Sequence, residues 1–178
     1  AENRALFDGA AIEQAGGKYM AAQGAYPTVF VSLKDLNALQ YESSINLLAL
    51  KLQDLYGNYR YLLDSDKLAD DEKEEFDRIL VRKASEDDLQ LALKRLTEYL
   101  SRHHNKNAVL LIDEYDVMIQ SAWEHGFYDK AIAFMRNFLS AALKTNPFLE
   151  FAVLTGVLRI AKESIFSALN NLSVSSVV

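Results

Sequence analysis

Asp113, Glu114 and Asp116 place three carboxylates within four positions, directly after the apolar run Ala-Val-Leu-Leu-Ile at 108–112. The run does not alternate, as expected of a strand buried on both faces of a parallel sheet. An unpaired buried carboxylate costs several kcal/mol, so Asp113 and Glu114 are expected where the strand leaves the core. Ligands of open α/β sheets bind at that carboxyl end. An acidic pair there suits Mg²⁺, which takes oxygen ligands and keeps several waters. One carboxylate can hold a metal-bound water while the other orients an attacking water, the chemistry of nucleoside-triphosphate hydrolysis. The same nine residues also fit an ordinary strand ending in a solvated acidic turn.

The surrounding chain supplies the elements that must position this turn. Residues 26–33 are β-branched and aromatic, with Pro27 at the start, and read as a strand. Asp35, just beyond it, reads as a turn or cap residue rather than a ligand. Helical spacing marks 43–61 and, after an acidic break at 64–73, 74–81. Ser-Glu-Asp-Asp at 85–88 predicts a capped helix start. That helix ends at His103-His104; adjacent histidines point to different helix faces, so the pair reads as a dipole-favoured C-terminal cap rather than a joint metal site. Helices at 115–123 and 129–144 and a strand at 148–154 follow, the last ending at Thr155-Gly156. Residues 157–169 read as helical and 174–178 as a further strand. The first 23 residues read as helical, interrupted at Gly16-Gly17. Strands separated by helices imply a parallel α/β sheet with right-handed crossovers.

At 178 residues the chain is read as a single domain, or part of one, able to bury a substantial core. Its net charge of −6 argues against broad nonspecific binding to nucleic acid or acidic membranes. No apolar run approaches a membrane span, and no secretory signal is visible. The absence of cysteine removes disulfides and thiolate metal sites and is compatible with a cytoplasmic protein.

Three blocks together carry a family resemblance: Tyr-Pro-Thr-Val-Phe-Val-Ser-Leu-Lys at 26–34, Val-Leu-Leu-Ile-Asp-Glu-Tyr-Asp at 109–116, and the stretch from Leu154 to Leu172 that opens Leu-Thr-Gly-Val-Leu-Arg-Ile. Leu6-Phe-Asp-Gly9 with Ile12 adds to them. The chain resembles the AAA-ATPase-like family of bacteria and archaea, whose members often carry a PD-(D/E)XK-nuclease-like domain after the ATPase region. The resemblance implies an α/β, three-layer P-loop NTPase-like fold of the additional-strand type, with strand order 5-1-4-3-2 and a helical insertion at about 43–105. It implies Walker B roles: Asp113 holding the Mg²⁺ shell through water and Glu114 polarising the attacking water. It further implies that Thr155 senses the γ-phosphate. Arg159 resembles the family's arginine after that strand, which implies a phosphate contact within the subunit or across a subunit contact; a helix-surface pairing with Glu163 is the other reading. Val117-Met118 stands where the family pattern would have Thr-Pro.

One part of the pattern is missing. No Gly-x-x-x-x-Gly-Lys-[Ser/Thr] loop occurs in the sequence. Gly17-Lys18 is not one: Ile12 stands at the required first glycine and Tyr19 at the required hydroxyl residue. The chain therefore reads as the part after the Walker A helix, lacking the first strand and the phosphate loop. ATP and Mg²⁺ are expected for the parent protein and neither for this polypeptide alone. Unpaired sheet edges are expected to favour a homo-oligomer or a strand-swapped dimer, with 174–178 shifted, exchanged or loosely ordered. Two other functions are weighed against this. One is a degenerate P-loop domain used only for protein contacts. The other is a metal-dependent nuclease using Asp113, Glu114 and Asp116, disfavoured by the absence of a Pro-Asp…(Asp/Glu)-x-Lys arrangement; Asp116 reads better as a helix N-cap.

Overall fold

The computed structural model describes residues 4–157 and Ser173. The expected helix at 157–169, Arg159 and the expected strand at 174–178 lie outside the described residues, apart from Val157. Three parallel strands, β1 (Thr28–Ser32), β2 (Ala108–Asp113) and β3 (Leu149–Leu154), form a sheet in the order β1-β2-β3. This adjacency is compatible with the expected P-loop-like strand order. β2 is the central strand; Ala108, Val109, Leu110 and Ile112 are buried, while Leu111, on the opposite face from Leu110 and Ile112, is half-buried.

Before β1 the chain makes a 3₁₀ turn (Arg4–Phe7) and two short helices, α1 (Ala11–Gln14) and α2 (Gly17–Ala22), separated at Gly16 as its flexible backbone predicts. Between β1 and β2 run α3 (Tyr41–Gly57), a 3₁₀ turn (Arg60–Asp64), α4 (Asp70–Leu80) and α5 (Glu86–His104). α4 begins four residues earlier than its apolar spacing suggests. Asp70, Asp71 and Glu72 in its first turn favour the positive helix end, and the Ala69 N–H donates to Glu72 Oε2 at 2.8 Å. The start of α5 matches its sequence signature: the Ser85 hydroxyl accepts from the Asp88 N–H at 3.1 Å, and Asp88 Oδ2 accepts from the Ser85 N–H at 3.0 Å. Burial works to raise the Asp88 pKa, but the bonds from Ser85 and the Arg78 guanidinium outweigh it and hold the carboxyl below its usual range. After β2 come α6 (Val117–His125) and α7 (Tyr128–Leu143).

The core lies between one sheet face and the helices. Val29, Val31, Leu110 and Ile112 project from the sheet into a cluster with Leu48 and Leu52 of α3, Leu93, Leu96 and Leu100 of α5, and Met135, Phe138 and Leu139 of α7. Each such side chain contributes roughly 1.5–3 kcal/mol by leaving water. The aromatic and methionine stripe of α7 is thus core. The opposite sheet face carries Phe30, Phe151 and Val153, all exposed. A second helical layer over that face, part of the expected three-layer arrangement, is not among the described residues. No described helix is long and apolar enough to cross a membrane.

Candidate functional site

The sheet's backbone ladder continues past the strand ends and gathers the site. The Leu33 N–H bonds to the Asp113 carbonyl at 2.9 Å, the Thr155 N–H to the Ile112 carbonyl at 2.9 Å, and the Tyr115 N–H to the Thr155 carbonyl at 3.2 Å. These bonds fix Ser32, Asp113 and Thr155 side by side on three adjacent strands. The Thr155 hydroxyl donates to Asp113 Oδ1, and the Ser32 hydroxyl donates to Asp113 Oδ2 at 3.3 Å. Each carboxylate oxygen of Asp113 thus receives one hydroxyl from a neighbouring strand. Charge-assisted bonds of this kind are the stronger class and fix the carboxylate's orientation.

Glu114 follows in the left-handed region at φ 53°. A glutamate pays a steric penalty there of about 1–2 kcal/mol, because Cβ approaches the following carbonyl. The consequence is a sharp change of direction between β2 and α6, with Glu114 half-buried at the turn.

Asp116 occupies the N-cap position of α6, as the sequence suggests, but its side chain makes no capping bond to that helix. It is buried, and Oδ2 accepts the Val157 N–H at 3.0 Å, so the carboxylate ties the segment after β3 to the start of α6. Gly156 passes directly over this turn. A Cβ there would lie 2.5 Å from Asp116 Oδ1 and 2.7 Å from a Tyr115 ring carbon. Its lack of a side chain is a packing requirement. Farther along α6 the Ser121 hydroxyl accepts from the Ala38 N–H at 3.1 Å and donates to the Ala38 carbonyl at 2.7 Å, anchoring the loop after β1. Asp35 in that loop pairs with Lys51, a bond that lowers its pKa and gives it a turn-and-pairing role away from the carboxylate cluster.

The structure therefore brings together Asp113, Glu114 and Thr155 of the expected set. Ser32 is an addition: its hydroxyl meets Asp113 across 81 residues of sequence, and only strand adjacency could have revealed it. At the far end of α5, burial and the neighbouring His103 lower the His104 pKa, and the Tyr61 hydroxyl contacts His104 Nε2 at 2.9 Å. His103 Nδ1 instead meets the Ser65 hydroxyl at 2.8 Å, so the two histidines have separate hydrogen-bond partners, although the Tyr61 ring packs against both.

A protein-family model described as "Predicted AAA-ATPase" matches residues 1–166. The chain belongs to the AAA-ATPase-like family. No curated protein and no solved structure matches it. Nucleotide and Mg²⁺ dependence are thereby suggested for an AAA-ATPase-like parent. The donor set fits Mg²⁺ in one particular way. Among the described residues no group of three His, Cys, Asp or Glu side chains could hold a metal ion. Asp113, with hydroxyls on both oxygens, instead suits an ion held through its own waters and completed by phosphate oxygens, the usual habit of Mg²⁺.

Proposed function

We propose that this chain carries the carboxylate and sensor half of an ATP-hydrolysing site. Asp113 would hold Mg²⁺ through water, and that ion would neutralise developing charge on the phosphates. Glu114 accepts hydrogen bonds from the attacking water and orients it as general base. Thr155 would sense a γ-phosphate by turning its one hydroxyl proton from Asp113 to a phosphate oxygen, which would free that carboxylate oxygen. Arg159 would contact phosphate from the same subunit or a neighbouring one. The observation that carries this reading is the convergence of Ser32, Asp113 and Thr155 at the carboxyl ends of three parallel strands, with Glu114 at the adjoining turn.

The phosphate loop limits what this polypeptide does by itself. Such a loop provides backbone N–H groups, a lysine and a metal-binding hydroxyl for the phosphates. The sequence contains no such loop, so the chain alone is proposed to bind nucleotide weakly or not at all and not to hydrolyse it. Calorimetric titration with Mg-ATP and a phosphate-release assay test this. Turnover by the purified chain that disappears in Glu114→Gln would overturn it. A second reading is a degenerate domain used for protein contacts. That reading is supported if a longer polypeptide from the parent gene also lacks the loop and fails to bind ATP.

A further inference from the structure

A cleft of about 630 Å³ opens where the first turns of α3 and α7 meet the end of α6. Its lining differs from the core in kind. Trp123 is 74% exposed on the lip and meets the Tyr128 ring edge to face at 5.5 Å between centroids. Tyr41 stands on the α3 side, its hydroxyl bound to Glu86. Glu42 and Asp129, both exposed, add carboxylates from the two helix starts.

Aromatic faces beside carboxylates are the chemistry that recognises an organic cation. The protein already makes one such contact at this place. Lys130 Nζ lies 5.5 Å from the Tyr41 ring centroid and 3.7 Å from Glu42 Oε1. The Trp123–Tyr128 pair and Asp129 form the other part of the lining, beside His125 and Lys130, and among the described residues no cation–aromatic contact falls on that pair and no ion pair on Asp129. Helix starts by themselves favour anions, but Glu42 and Asp129 already occupy the first turns of α3 and α7. A planar guanidinium suits this half best, because it stacks on indole and still presents paired N–H donors to a carboxylate. Tryptophan, tyrosine and arginine are also the residues that anchor protein interfaces.

We infer that the Trp123–Tyr128–Asp129 side of this cleft is a docking site for an arginine presented by a segment of a partner protein. The inference is independent of the ATP site, because the hydrogen-bond partners of Asp113 are Ser32, Thr155 and Leu33, none of which lines this cleft.

Trp123 is the chain's sole tryptophan, so its emission reports the site directly. The probe is N-acetyl-arginine-N-methylamide, with the neutral citrulline and the anionic glutamate diamides at matched ionic strength as controls. A saturable change with a dissociation constant on the order of millimolar is expected for the arginine diamide, as befits a single cation–aromatic contact. It should weaken with added salt, and at least about threefold in Asp129→Asn, whose exposed position spares the fold. Trp123→Ala, followed by NMR shifts of Tyr128, should abolish saturation. The inference is overturned if the citrulline or glutamate diamide gives the same curve, if arginine gives only a linear response, or if Asp129→Asn leaves the affinity unchanged.

Discussion

Replacing Gly156 with alanine tests whether the turn after β2 and the segment after β3 form one close-packed unit. The added Cβ would sit 2.5 Å from Asp116 Oδ1 and 2.7 and 2.9 Å from two Tyr115 ring carbons. Comfortable contact needs about 3.5–4 Å, so something must move by roughly 1 Å. Neither neighbour yields easily: Tyr115 and Asp116 are 8% and 2% exposed, and Asp116 also holds the Val157 N–H. Overpacking of this kind costs about 1–3 kcal/mol. For a chain of this size that lowers Tm by roughly 2–4 °C per kcal/mol, or about 4–8 °C for a mid-range cost. Thr155 precedes the substituted residue, so its hydrogen bond to Asp113 should lengthen as well. Gly57→Ala is the matched control: nothing lies within 4 Å of the added atom, and the site closes α3. It should be neutral or stabilising by up to about 1 kcal/mol. Thermal unfolding followed by circular dichroism reads both. If Gly156→Ala melts within about 1 °C of the parent, where overpacking should cost several degrees, the close packing at this turn is refuted.

Glu114→Gly should raise stability by up to about 1 kcal/mol, because glycine accepts the left-handed backbone without penalty, while removing the proposed base; a lower midpoint in urea would refute the strain argument. Ser85→Ala removes one half of the reciprocal cap on α5 and should cost about 1 kcal/mol, read from the same urea transition. Stability should fall as pH drops below the ordinary histidine value of 6.5: the folded state holds His104 below that value, so the unfolded chain takes up the proton first. His104→Gln should flatten this fall between about pH 7 and 5, and an unchanged slope would remove His104 as its cause.

The sheet and its carboxylate end were legible because β2 is apolar without alternation until Asp113, the pattern of a central strand in a parallel sheet. The start of α5 was equally legible, since Ser85 and Asp88 cap one another locally. The start of α4 was not read from its apolar spacing, because its first turn is all acidic; helix polarity, rather than hydrophobicity, sets that boundary. Features that depend on contacts distant in sequence were hidden. The Ser32–Asp113 bond, the passage of Gly156 over Tyr115, and the cleft joining 39–42 to 123–130 arise only when strands and helix starts are brought together. The left-handed backbone at Glu114 had no local signal either, since glutamate is a poor residue for it. Asp116 stands at the head of α6, where its residue type suggests a cap, but its side chain makes no capping bond there and its buried bond to Val157 arises from tertiary packing.

The most direct test of the half-site proposal compares phosphate release from Mg-ATP by this chain with that by a longer polypeptide of the parent gene that includes a phosphate loop. The proposal predicts no turnover above background for the chain alone. For the longer polypeptide it predicts turnover that falls by at least about a hundredfold in Glu114→Gln, the scale expected on losing a positioned general base. Hydrolysis by the chain alone that depends on Glu114, or a longer polypeptide indifferent to Glu114→Gln, would contradict it.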